Sequence, residues 1–185
     1  MRELSLHILD IAQNSIAAGA SLVTIDVNAE PEKDLLTISV TDDGCGMPEE
    51  LAKSAADPFT TTRQSRRVGL GISLLQASAQ RSEGNLTIRS AVGKGTAVSA
   101  TFRLRHIDRP PMGDLAETMA ALIAANPEKP DFLLKVSANG RYFSFDTREV
   151  KRRLTGVSLS EPEVLAWVRD HLHEGLKDFH GGAPI

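Results

Sequence analysis

In the N-terminal half of the chain, several clusters of residues have the types and spacing needed to handle a phosphorylated ligand. His7, Asp10 and Asn14 recur at intervals of three and four, so on a helix they share a narrow stripe almost opposite Ala12 and Ile16. A carboxylate and a carboxamide one turn apart supply hard oxygens that can hold a hydrated Mg²⁺ and orient a water; alone, the stripe also fits a solvated helix face. Asp42-Asp43-Gly44-Cys45-Gly46-Met47 follows a strand-like run. Its glycines let the backbone turn sharply and approach a flat ligand, and a carboxylate at the strand end can accept from an adenine amino group. Guanine would set a carbonyl oxygen against that acceptor, a mismatch of about 1–3 kcal/mol. The same run also fits a plain Asp-Gly turn.

A second set lies further on. Asp57-Pro58-Phe59-Thr60-Thr61-Thr62-Arg63 leads through Arg66 and Arg67 to Gly69-Leu70-Gly71, where a helix opens. A glycine segment feeding a helix N-terminus is a phosphate cradle, because unpaired N–H groups and the helix dipole both favour an anion. Arg63, Arg66 and Arg67 can add charge-assisted bonds, although loop arginines are also commonly just solvated. No G-x-x-x-x-G-K-[ST] phosphate loop occurs. Gly93-Lys94-Gly95-Thr96 sits between two strand-like runs, where a tight hairpin is the plainer reading.

The elements that must position these residues are readable from periodicity. Leu4, Ile8, Ile11, Ala12 and Ser15 mark a first helix with a stop at Gly19. Strands are expected at 22–28 and 35–41, a second helix over 71–80, and strands at 86–90 and 97–103. Because the strands come in neighbouring pairs, the expected architecture is α+β: a mixed sheet with helices on one face. Residues 106–112, with Asp108-Arg109-Pro110-Pro111, read as a linker to a small α+β unit over 113–185. In that unit Leu115, Met119, Leu122 and Ile123 mark a helix ended by Asn126-Pro127, and Asn139-Gly140 signals a hairpin between 132–136 and 141–145. Asp146 with Glu149, and Ser160 with Glu163, read as capping boxes for two further helices.

Composition narrows the function classes. The chain has 185 residues with 41% hydrophobic and 24% charged, enough for a buried core and against wholesale disorder. Its net charge of -3, from 21 Lys+Arg against 24 Asp+Glu, argues against a nucleic-acid or membrane partner. One cysteine, Cys45, cannot form an intrachain disulfide, and the first residues lack the apolar core of a signal peptide. The expected location is therefore cytoplasmic. His106, His171, His173 and His180 form no metal-ligand set, and His7 reads as a helix-surface histidine.

Taken in order, these motifs resemble the GHKL superfamily of ATPases, which includes gyrase B subunits, Hsp-type chaperones, histidine kinases and mismatch-repair MutL. The run from Asp10 to Ala20 resembles the N box, with Asn14 on the Mg²⁺-binding asparagine. Asp42-Asp43-Gly44-Cys45-Gly46 matches the D-x-G-x-G box, with Asp42 on the adenine-binding aspartate. Asp57–Arg63 resembles the F box that begins the ATP lid, Gly69-Leu70-Gly71 the second glycine box, and Gly93–Thr96 the third. The resemblance spans residues 1–105 and implies the Bergerat two-layer α/β sandwich, with ATP and Mg²⁺ as ligands and histidine-kinase-like domains closest. It implies ATP-binding roles for Asn14, Asp42, Gly44, Gly46, Met47, Thr61, Arg63, Gly69, Leu70, Gly71, Lys94 and Thr96, with Asp10 as the activating base.

The chain departs from the family in places. Arg67 stands where the histidine-kinase glycine box begins, the lid is short, and Asp10 occupies a position where hydrolytic members carry glutamate. With no phosphoacceptor helix pair ahead of the N box, the expected function is a stand-alone protein kinase or slow ATPase acting on a protein partner or substrate. The anti-sigma-factor serine kinases offer a parallel. The alternative is a non-catalytic ATP-sensing subunit that binds a protein partner. A gyrase- or MutL-like clamp fits less well, because residues 113–185 are short for a transducer domain.

Overall fold

Strict alternation builds the sheet. β1 (Leu22–Glu30) buries Val23, Ile25, Val27 and Ala29, and β2 (Leu35–Asp42) buries Leu36, Ile38, Val40 and Asp42. The intervening Thr, Ser, Asp and Asn side chains turn to the other face, the period-2 pattern of a sheet covered on one side. In this computed structural model, residues 3–55 and 70–180 are described. β3 (Leu86–Ala91), β4 (Gly95–Arg103), β5 (Asp131–Ala138) and β6 (Arg141–Asp146) complete one six-stranded sheet in the order β3-β4-β2-β1-β5-β6. All neighbours are antiparallel except β1 and β5, which run parallel with Val23 beside Phe132 and Val27 beside Val136.

One layer of helices covers the apolar face. α1 (Leu4–Ala17) packs between α3 (Leu70–Arg81) and α4 (Leu115–Ala125), and α4 in turn packs on α6 (Pro162–His180). Leu4, Ile8, Ile25, Phe102, Met119, Phe132 and Leu172 are among the fully buried side chains between the layers. The expected two-layer α+β sandwich is therefore present. The residues expected as a C-terminal unit carry β5 and β6, which extend the same sheet along β1.

Local details explain where elements begin and end. α1 stops at Gly19, whose φ of 72° suits a residue without a Cβ, while Gly19 N–H donates to Ile16 and Ala20 N–H to Ser15. Its N-terminus lacks a side-chain cap; instead Leu4 and Ser5 N–H groups donate to the carbonyls of Pro111 and Met112. The segment read as a linker thus closes a helix end, and its Met112 is buried. α2 (Glu49–Ala55), unforeseen from periodicity, follows the glycine loop. Asp146 caps α5 (Thr147–Leu154) by accepting from Arg148 N–H. Ser160, by contrast, does not cap α6: its hydroxyl pairs with Ser158, and the helix opens at Pro162, which has no N–H to satisfy.

Candidate functional site

The site gathers around the end of β2. Alternation carries Asp42 inward and Asp43 outward, so the two adjacent carboxylates do different work. Asp43 Oδ1 accepts from Ser21 N–H at 2.7 Å and Leu22 N–H at 2.9 Å, and Oδ2 from the Ser21 hydroxyl at 2.6 Å, tying down the start of β1. That hydroxyl, then the backbone donors, hold its carboxyl below the usual range. Asp42 is 9% exposed. Its Oδ1 accepts from Gly44 N–H at 2.9 Å and Thr96 N–H at 3.2 Å, and its Oδ2 from the Ser15 hydroxyl at 2.7 Å. A carboxylate has about four lone-pair positions. Among the described residues, three protein donors leave one position open, on Oδ2, for an outside N–H.

The glycine loop after Asp42 is threaded closely between α1 and the β3–β4 hairpin. Cys45 N–H donates to Ala18 carbonyl, and Gly93 N–H donates to Cys45 carbonyl. Gly46 has a φ of 63°, and a Cβ there would fall 2.0 Å from the Ala91 carbonyl oxygen, so no other residue fits. Met47 N–H donates to the Ser90 hydroxyl, which also bonds Gly95 carbonyl and the Thr96 hydroxyl, each at 2.9 Å. Cys45 itself is exposed with a free thiol.

The stripe of His7, Asp10 and Asn14 lies on α1, the helix whose Ser15 reaches Asp42. Among the described residues, Asp10 Oδ2, Asn14 Nδ2 and both ring nitrogens of His7 are buried without a hydrogen-bond partner. The Asp10 carboxylate occupies the notch left by Gly71 in the first turn of α3: a Cβ at Gly71 would lie 1.4 Å from Asp10 Oδ2. His7 is 1% exposed, which corrects its reading as a surface histidine. Burial, then the positive amino terminus, pushes its imidazole below the ordinary value of 6.5, with the Gly71 backbone and Asp10 opposing.

The structure therefore groups Asp42, Gly44, Gly46, Met47 and Thr96 around the glycine loop and sets Asp10 against Gly71, with Asn14 on the same helix as Asp10. Leu70 opens α3 beside Gly71. Lys94 stands exposed in the β3–β4 turn, without an ion pair among the described residues. Thr61, Arg63 and Gly69 lie outside the described residues. Sequence reasoning passed over Ser15 and Ser90. Ser15 had a signal: a hydroxyl on an otherwise apolar helical stripe, which here donates to Asp42.

The donor set fits Mg-ATP. The Asn14 carboxamide offers a hard oxygen for the cation while its buried nitrogen lacks a protein partner. The open position on Asp42 suits an amino group. Among the described residues, no helix is long and apolar enough to cross a membrane.

Residues 2–106 match the family described as histidine kinase-, DNA gyrase B- and HSP90-like ATPases. The non-motile and phage-resistance protein of Caulobacter vibrioides is 32% identical over 117 residues, 58% of this chain and 14% of that protein. Sporulation kinase E of Bacillus subtilis is 30% identical over 107 residues, 57% of this chain and 14% of that protein. Across curated relatives of this kind the chain spans 11 to 24% of their length. A crystal structure of the N-terminal domain of a DNA repair protein shares the fold, with a TM-score of 0.51 at 13% identity, covering 78% of this chain and 52% of that one.

Proposed function

The chain belongs to the histidine kinase-, DNA gyrase B- and HSP90-like ATPase family, and on that premise we propose that it binds Mg-ATP and moves the γ-phosphoryl group to water or to a protein hydroxyl or imidazole. It carries an ATP-binding, kinase-like domain; the transfer chemistry is the proposal. The observation that carries it is the pair of unpartnered buried polar atoms, Asp10 Oδ2 and Asn14 Nδ2, one turn apart on α1. Burial without partners costs stability, so such atoms are retained where a ligand completes them.

In this reading Asp42 accepts from the adenine amino group, and Ser15 and the Gly44 and Thr96 amides fix the orientation of that carboxylate. Asn14 holds Mg²⁺, which when bound neutralises phosphate charge. Met47, Gly69, Leu70 and Gly71 lend backbone to the pocket and the phosphates, and Thr61, Arg63, Lys94 and Thr96 are further contacts. Asp10 takes the proton from the attacking hydroxyl. Phosphoryl transfer needs mostly positioning and charge neutralisation, both of which this arrangement supplies. We place the protein in the cytoplasm, working on or with a protein partner, with residues 1–105 as the ATP-binding domain and 113–185 as its C-terminal extension.

The test is incubation of the full chain with γ-labelled Mg-ATP, following released phosphate and protein-bound label separately. Release abolished by Asp10→Asn establishes an ATPase with that base; label on protein establishes a kinase. Bound ATP with neither signal, even with candidate partners, replaces this reading with a nucleotide-sensing subunit. Unchanged Mg-ATP affinity in Asn14→Ala removes the N-box assignment from both.

A further inference from the structure

The sheet ends on an open strand. β6 pairs with β5 alone, and among the described residues no other backbone hydrogen-bonds to it. An unpaired edge offers a row of N–H and C=O groups to any extended chain, and folded proteins blunt such edges with charges or proline. Between Arg141 and Asp146, β6 carries neither. Its Phe143 and Phe145 turn to the helix side beside Val136 and Leu134, while Tyr142 and Ser144 turn to the open face.

α6 forms a wall along this edge. Its His171 ring centre lies 6.0 Å from that of Phe143 and 5.9 Å from that of Phe145. Gly175 lets the Phe143 ring press against the helix, for a Cβ there would fall 2.0 Å from a ring carbon. Arg141, at the start of β6, donates to the Asp178 carbonyl and stands 3.9 Å from its carboxylate. Helical spacing then puts Glu163, Trp167, Asp170, His171, Glu174 and Asp178 on one stripe, and the contacts at His171 and Asp178 aim that stripe at β6. Another side of the helix meets α4, through Arg169 and His173 on Glu117. Trp167 is 49% exposed although it stacks on His171 at 5.1 Å, and Tyr142 is 64% exposed. They are the chain's one tryptophan and one tyrosine, and both stand at this edge. Exposed large aromatics are the side chains that anchor protein partners.

We propose that the cleft between β6 and α6 binds an extended, lysine- or arginine-bearing segment of a protein partner, which adds to β6 as a seventh strand. The inference goes beyond the nucleotide chemistry and needs none of it. Main-chain bonds to β6 hold the segment, and every second side chain faces the α6 stripe, where a cation meets the Trp167 ring and the carboxylates. Charge selects this guest. The stripe holds no lysine or arginine, and its Glu163, Asp170 and Glu174 are exposed and enter no ion pair among the described residues. Neighbouring cations are already engaged: Arg141 with Asp178, Arg148 with Asp146, Lys151 with Asp131 and Arg152 with Glu149. A second copy fits less well. Pairing β6 with β6 about a two-fold axis sets both acidic stripes on the same side of the joined sheet, like charge beside like charge.

Trp167 supplies the signal for the test. Titrating the full chain with a synthetic octapeptide of alternating lysine and valine should shift its emission saturably, with a micromolar Kd that weakens roughly tenfold from low to high salt. The same peptide with alternate amides N-methylated should bind about tenfold more weakly, because it cannot complete the strand. A glutamate–valine octapeptide should not bind. By calorimetry, Trp167→Ala and the double variant Asp170→Lys/Glu174→Lys should each weaken the lysine peptide about tenfold and leave ATP affinity unchanged. Both changes are at exposed positions, so the fold is kept. Equal binding of the glutamate or the methylated peptide overturns the proposal, as does unchanged affinity in both variants or no saturable binding of the lysine peptide. A dimer in sedimentation that Trp167→Ala dissolves gives the edge to a second copy and overturns it too. Failure of ATP binding or turnover in the unaltered chain strikes the nucleotide reading alone.

Discussion

Where α1 meets α3, five buried side-chain atoms on His7, Asp10, Asn14 and Gln76 have no hydrogen-bond partner among the described residues. On α4 and α5, by contrast, the buried hydroxyls of Thr118 and Thr147 are paired. Thr118 Oγ1 donates to Asp114 carbonyl at 2.8 Å, and Thr147 Oγ1 donates to Asp131 at 3.0 Å while accepting from Phe132 N–H at 2.9 Å. Each orphaned buried polar atom costs about 1–3 kcal/mol, so an accumulation in one place marks a region shaped for something other than stability. Under the proposed function, the C-terminal side is scaffold and the α1–α3 contact is machinery.

The sharpest way to break this comparison is to damage the scaffold and look for an effect on the site. Phe132→Ala, at a fully buried position in β5, should cost about 3–5 kcal/mol in chemical denaturation. The ATP affinity of the molecules that remain folded should be unchanged by calorimetric titration; a tenfold loss would mean the two regions are one functional unit. Gly71→Ala comes next. A methyl there would displace the Asp10 carboxylate, and turnover should fall roughly a hundredfold with ATP affinity nearly kept. Full activity would show that the position of Asp10 does not matter.

Paired polar-to-apolar changes sharpen the contrast, because they should differ in sign. Thr147→Val strands the Phe132 amide and should destabilise by about 1–2 kcal/mol. His7→Leu removes a polar ring without partners among the described residues and should raise the melting midpoint. Destabilisation by both would erase the distinction. The smallest effect is pH-dependent. The folded state holds His7 below the ordinary value of 6.5, so as pH falls through that value the unfolded chain binds its proton first. Stability from this residue is therefore complete above pH 6.5 and declines as pH drops below it; His7→Leu should flatten that part of the curve in parallel denaturation series.

Most strands and helices were legible because each has a strong period: alternation in 22–30 and 35–42, and i, i+3, i+4 spacing in α1 and α4. The α2 helix was not, being a single short polar segment after a glycine loop, whose formation depends on packing against β3. Ser160 was misread because a capping signature is local, whereas the Pro162 start and the Ser158 hydroxyl compete for the same turn. Within the site, Asp42 and the glycines could be named from the loop motif. His7 could be placed on the right stripe yet assigned the wrong environment, since a helical period gives a residue's angular position and not what covers it.

The sequence by itself determined the sheet's apolar face, the helix that carries Asp10 and Asn14, and the order of the family's sequence motifs, because these follow from backbone periodicity and from residue types close along the chain. The tertiary structure alone decided which atoms go without partners, that Ser15 orients Asp42 across 27 positions, that Gly71 makes room for Asp10, and that the β5–β6 hairpin joins the sheet through β1. Those are contacts between segments far apart in the chain, and their energies depend on distances and desolvation that only the packed molecule sets.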